Sequence, residues 1–299
     1  MDIGGTPFAP LVARDSNPGR VRMSLGGVGR NIAHNLCLLG ADVRLLTAFG
    51  DDMSAQKLAA SCGELGIDIS QALQVPGAAT STYLFLAGPD GDMELAVSDM
   101  DIYRHVTPAY LSARSALLDN AQLIIVDANI PEESIAWLAA NAKVPLFADP
   151  VSTTKAAKLK GSLGQLHTLK PNRIEAELLS GVSITDGESL HRCADALLAT
   201  GLRRVFISLG GDGVFAADHS GRCQLPCLPA RMVNTTGCGD AFMAAIAWAY
   251  LEGTDLEGTA RAGLSASAIA MESEETINPA MSAEGVRCRM AACGASSRF

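Results

Sequence analysis

Three observations predict an α/β fold with a mostly parallel central sheet for this chain. Short continuous apolar runs end in Asp or Gly, as strands covered on both faces do. Apolar stripes of helical period lie between those runs. One hairpin pattern breaks the alternation and predicts a small extra sheet. In chain order, Val21 to Leu25 reads as a strand, and Val28, Ile32, Leu36 and Leu39 form the stripe of a helix that opens after Gly26-Gly27. Thr80 to Ala87 and Met93 to Ser98 flank Gly88-Pro89-Asp90-Gly91-Asp92, a short polar hairpin turn. Beside Val21 to Leu25 this hairpin reads as a lid or as an edge extension of the main sheet. Leu123 to Val126 is a buried strand ending at Asp127, and Ile135, Leu138 and Ala139 mark the next helix. Val144 to Phe147 closes at Asp149-Pro150, and Val205 to Leu209 closes at Gly210-Gly211 before the strand Val214 to Ala217. Phe242, Ile246, Ala249 and Tyr250 belong to a long apolar helix, and residues 291–299 are expected to be poorly ordered.

Composition narrows the function. The net charge of -9 over 299 residues argues against a nucleic-acid backbone as partner. No apolar stretch approaches the roughly 20 residues that cross a bilayer, so no membrane association is expected. MDIGGTPFAP has neither a basic nor an apolar leader region. The 8 cysteines form no CxxC and the 5 histidines no HExxH, which disfavours zinc and thioredoxin-type chemistry and favours reduced thiols in a cytoplasmic protein.

Four motifs carry chemistry. In Asn234-Thr235-Thr236-Gly237-Cys238-Gly239-Asp240, glycines lead into the long apolar helix, whose free N–H groups and dipole suit a phosphate. Asp240 in that first turn has an ordinary reading as a dipole-stabilising acid. Gly26-Gly27-Val28-Gly29-Arg30-Asn31 is a glycine turn opening a helix, and it fits neither the P-loop nor the Rossmann pattern. In Lys170-Pro171-Asn172-Arg173-Ile174-Glu175, Asn172 and Glu175 form an Asn capping box, or hold a metal-phosphate shell, or both. Ser208-Leu209-Gly210-Gly211-Asp212-Gly213 puts glycines at a strand's carboxyl end, where open α/β sheets bind ligands, or is only a turn.

The order and spacing of these blocks resemble the ribokinase-like (PfkB-type) family of sugar and nucleoside kinases over nearly the whole chain. DSNPG, GGVGRNIAHNL, TSTYLFL, ADPVSTTK, HTLKPNRIEAE and SLGGDGV look like its pseudouridine kinase branch. The resemblance implies a three-layer fold with a β lid, and ATP-dependent phosphorylation of the 5′-hydroxyl of pseudouridine. Another ribonucleoside or a sugar is the alternative substrate, and a silent binding protein a different kind of alternative. The resemblance makes Asp240 the catalytic base, a role for which an ordinary pKa suffices, and the amides of Gly237, Cys238 and Gly239 its anion hole. Asn172 and Glu175 organise Mg²⁺ through water, and Ser208, Gly210, Gly211, Gly213 and Thr236 hold ATP. Asp2, Gly26, Gly27, Asn31 and Asn129 take the nucleoside, with Asn17, Ser81, Tyr83 and Lys155 further candidates for the base by location.

Three departures from the family stand out. Asn234 replaces an Asp beside a monovalent-cation loop and puts a K⁺ requirement in doubt. Cys238 replaces a usual Ala, and a helix N-terminus can lower a thiol pKa. Asp2 follows a full strand in relatives, so the first core strand is expected to be missing. One domain over 1–290 is expected, with a lid from about 4–25 and 80–100 through which a homodimer can form.

Overall fold

The computed structural model describes residues 1–88 and 93–295. In chain order the elements are β1 (Asp2–Pro7), β2 (Gly19–Ser24), α1 (Val28–Leu38), β3 (Ala48–Phe49), α2 (Met53–Glu64), β4 (Leu73–Gln74), β5 (Thr82–Ala87) and β6 (Met93–Asp99). There follow α3 (Pro108–Ser112), α4 (Ser115–Asp119), β7 (Ile124–Asp127), α5 (Glu132–Asn141), β8 (Leu146–Asp149), α6 (Thr153–Ala156), β9 (Thr168–Leu169), α7 (Arg173–Ser180) and α8 (Gly187–Ala199). The chain continues with β10 (Arg204–Ser208), β11 (Val214–Asp218), β12 (Gly221–Leu225), α9 (Cys238–Leu251), α10 (Leu256–Met271) and α11 (Ala283–Ala295).

The main sheet has the order β12-β11-β10-β9-β8-β7, parallel from β7 to β10 and antiparallel beyond. Its strands alternate faces with the period of two that a pleat imposes. Ile124, Val126, Leu146, Ala148, Val205 and Ile207 join the core under α5, α7 and α8. Phe147, Phe206, Val214 and Ala216 join the opposite core with α1, α9 and α10. This is a three-layer α/β architecture. Because α9 is wedged between sheet, α1 and α10, Ala241 through Ala249 are all buried, which explains its lack of a polar face.

The predicted hairpin is β5–β6, and it forms a separate four-stranded sheet of order β2-β1-β5-β6. The lid reading is therefore the right one of the two. Residues 89–92 of its predicted turn lie outside the described residues. Asp2–Pro7 pairs with β2 and β5 in this lid and contributes nothing to the main sheet. Among the described residues β7 is the edge strand of the main sheet, and β3 pairs only with β4. Between β3 and β7 lies a cavity of about 60 Å³ lined by Leu45, Ala48, Phe49, Val106, Asp127 and Ile130. α11 runs through Ala295, and 296–299, part of the tail expected to be poorly ordered, lie outside the described residues.

The sheet brings the strand ends into one row. Asp127 and Asp149 are register partners at the carboxyl ends of β7 and β8. Lys170 follows β9, and Asn172 bridges to Ser208 at the end of β10. This is the edge where α/β sheets bind ligands.

Candidate active site

Gly237 caps α9 in the left-handed region at φ 84°, and a Cβ there would stand 2.2 Å from the Thr276 carbonyl oxygen. Only glycine fits. The loop before it is tied down: the Val233 and Asn234 amides donate to the Met271 carbonyl, and Asn234 Nδ2 donates to the Glu274 carbonyl. Asn234 Oδ1 takes the Thr236 amide. The amides of Gly237, Gly239 and Asp240 have no acceptor among the described residues, whereas the Cys238 N–H already donates to the Thr235 carbonyl at 3.3 Å. An anion at this turn would therefore meet free N–H groups at Gly237, Gly239 and Asp240 rather than at Cys238. The Cys238 thiol is not activated: burial pushes its pKa up to about 11, against the expectation that a helix N-terminus lowers it.

Asp240 lies in the first turn of α9. Burial, and next the charge of Asp149, push its pKa up to about 7. Asn31 opposes that rise, donating from Nδ2 to Asp240 Oδ2 at 2.8 Å. The other end of the Asn31 amide, Oδ1, is buried without a donor, a defect that a substrate hydroxyl would repair. Helix α1 is held there by Asp127, whose Oδ2 accepts the Gly29 amide at 2.9 Å and whose Oδ1 accepts the Asn129 amide.

The lid supplies Asp2. A Cβ on Gly26 would lie 1.9 Å from Asp2 Oδ2, so the carboxylate rests on the bare face of Gly26. Burial raises the Asp2 pKa, and no side-chain or backbone donor holds either oxygen among the described residues. Gly27, at φ 99°, caps α1 beside it. Asn129 Oδ1 accepts Lys155 Nζ at 2.5 Å, leaving its Nδ2 free. The base candidates are partly consumed elsewhere. Asn17 spends its amide on its own loop, against Val12 and Asp15. Ser81 pairs with the Tyr103 hydroxyl, and the Tyr83 hydroxyl with Met93 Sδ.

The pfkB family carbohydrate kinase profile matches residues 8–283. The chain belongs to that family. Pseudouridine kinase of Escherichia coli K12 is 40% identical over 288 residues, 96% of this chain and 92% of that protein. The uncharacterized sugar kinase YeiI of the same organism is 36% identical, covering 95% of this chain and 79% of its own length. Arabidopsis thaliana ribokinase complexed with ribose and ATP superposes with a TM-score of 0.84 at 21% identity, covering 97% and 95% of the two chains. This pfkB kinase is thus a phosphotransferase acting on an alcohol group of a nucleoside or sugar, with the ribokinase-like fold.

Kinases of the pfkB family use ATP with a divalent metal, and the residues present fit both. Gly210 and Gly211 are exposed at the end of β10, with open space where a Cβ would stand. A nucleotide can lie directly on that backbone. Gly213 answers to the turn itself: at φ 91° its Cβ would be 2.0 Å from the Leu225 carbonyl. The predicted capping box is present, since Asn172 Oδ1 accepts the Glu175 amide and Glu175 Oε2 accepts the Asn172 amide. This leaves Glu175 Oε1 free in a site where burial raises the carboxyl pKa. A free, hard carboxylate oxygen is what a hydrated divalent cation takes.

Three charged side chains at this edge are not singled out by the sequence motifs: Asp127, Asp149 and Lys170. Asp127 and Asp149 registered only as residues that close strands, and Lys170 as the start of the capping motif. For the two aspartates the signal was a charged residue directly ending an apolar run; Lys170 follows the mixed run His167-Thr168-Leu169 and carried no such signal.

Proposed function

We propose that the chain is an ATP-dependent pseudouridine kinase that phosphorylates the 5′-hydroxyl. The observation that carries this reading is the 40% identity to pseudouridine kinase across 96% of the chain, with Asp240 and Asn31 assembled at the helix end. The ribose diol would be taken by Asp2, two acceptor oxygens for two donors, and by Asn31 Oδ1, over the backbone of Gly26 and Gly27. Asn129 would meet the nucleoside from β7's end. Asp240, ionised above about pH 7, would accept the 5′-hydroxyl proton. The amides at the start of α9 would stabilise charge on the transferred group. Ser208, Gly210, Gly211 and Thr236 would flank the nucleotide. Mg²⁺ held through water by Asn172 and Glu175 would neutralise phosphate charge. With Asn234 already bonded to the 274 carbonyl and the 236 amide, the reading includes no K⁺ requirement.

A coupled ADP-release assay over pseudouridine, uridine, adenosine and ribose tests the substrate. The reading expects the highest kcat/KM for pseudouridine, and ribose as the best substrate contradicts it. The YeiI relative favours the second reading, a kinase for another sugar or nucleoside.

We also propose a homodimer through the lid. The strand register puts Val21, Met23, Leu84, Leu95 and Val97 on the face opposite Asp2 and Tyr83, and all five are exposed. An apolar sheet face of this kind fits a second copy. The seven described cysteines are free thiols, and no helix among the described residues is long and apolar enough to cross a membrane. A cytoplasmic setting, where ATP is at hand, is part of the proposal.

A further inference from the structure

Lys170 is the one buried cation beside the transfer site among the described residues, with a side chain about 10% exposed. Its Nζ lies 3.2 Å from Asp149 Oδ2, and Asp149 is its only carboxylate partner there. Neither Asp240 nor Glu175 forms an ion pair with it, although their charges act on it. An ammonium has three donors, and the Asp149 pair uses one direction of approach, which leaves Nζ able to meet an anion as well. The Nζ is also placed against the anion-binding turn: a Cβ on Gly239 would stand 3.5 Å from it.

Asp149 is built to hold this position. Its Oδ1 accepts the Val151 amide at 2.8 Å, in a turn where Val151 takes φ 67°. A β-branched residue in that region is strained and persists only when its surroundings enforce it. One oxygen thus fixes the strained turn while the other aims the lysine. A staple whose only task was to join β8 to the segment after β9 has no need of an ammonium set against Gly239 in the first turn of α9.

We propose that Lys170 is a catalytic residue whose ammonium binds a γ-phosphoryl oxygen of a nucleoside triphosphate during transfer, with Asp149 as its positioning residue. In the step the acceptor oxygen bonds to the γ-phosphorus and its proton passes to Asp240. The bond from that phosphorus to the bridging oxygen breaks, its electron pair leaving with the nucleoside diphosphate. Lys170 keeps its three protons throughout. The inference rests on the phosphotransfer reading with Asp240 as base.

The test compares Lys170→Met, Lys170→Gln and Asp240→Asn in steady-state kinetics, with ADP affinity measured by calorimetry. Lys170→Gln keeps a donor for Asp149 and so preserves the fold should the Met variant not. The expected result is a fall in kcat of about 100-fold or more in each lysine variant, with ADP affinity nearly unchanged. The acid limb of kcat/KM should also move to higher pH, because Asp240 then faces Asp149 and Asp127 with Asn31 but without the cation. A lysine variant with near wild-type kcat, or a lowered kcat with the limb unmoved, overturns the role of Lys170. If Asp240→Asn is inert in that case, the base reading stands; if Asp240→Asn is active, the base reading itself fails.

Discussion

Asn31 donates to Asp240 across 2.8 Å although 209 positions separate the two in the chain. The bond favours the ionised carboxylate against burial and against Asp149. Replacing Asn31 by Leu removes that support. The Asp240 pKa then rises further, and the acid limb of kcat/KM moves above its wild-type position near pH 7. A pH-rate profile checks this, with the largest loss below pH 7 and partial recovery near pH 9.

The same raised pKa makes Asp240 costly for stability. Its folded value of about 7 lies above the ordinary 3.8 of the unfolded chain. Between these values the folded state holds a proton that the unfolded state has lost, so stability falls as pH rises through that window. Asp240→Asn should therefore raise the melting temperature at pH 8, by an amount on the order of a few kcal/mol in stability. At pH 4 the gain should vanish. Thermal denaturation of both proteins at the two pH values measures it.

Two half-buried histidines set a slope of the opposite sign. Burial pushes His34 and His167 down to about 4. Below the unfolded value of 6.5 the unfolded state takes up protons that the folded state refuses, so stability is lost as pH falls from 6.5 towards 4. His167 stacks on Phe147 at 5.4 Å between ring centroids. His167→Phe should lower the drop in melting temperature between pH 7 and pH 4.5, relative to its own value at pH 7.

Gly26→Ala separates the sugar site from the chemistry. The new Cβ would occupy the place of the Asp2 carboxylate, 1.9 Å away, and displace it. The expected outcome is a KM for nucleoside raised about tenfold or more, the loss of a charged hydrogen-bond pair, with nucleotide binding retained. An unchanged KM would remove Asp2 from the diol site.

Much of this was legible in the chain because the signals were local. The parallel strands appeared as apolar runs closed by Asp or Gly. The cap at Asn172–Glu175 was readable from two residues three positions apart, and the glycine turn at Gly237–Gly239 from its place before an apolar helix. The row Asp127, Asp149, Lys170 was not, because it exists only once β7, β8 and β9 lie side by side. The Asp240 pKa was missed for the same reason: it depends on burial and on charges from other strands. The lid was half legible, since a hairpin pattern does not say which sheet it joins, and β1 pairs with both β2 and β5.

The most direct test of the account is kcat for Asp240→Asn, measured by coupled ADP release with pseudouridine as acceptor, together with its ADP affinity. Loss of a general base predicts a fall in kcat of about 10² to 10⁴-fold with nucleotide affinity nearly unchanged. A variant that turns over within a few-fold of wild type would contradict the account.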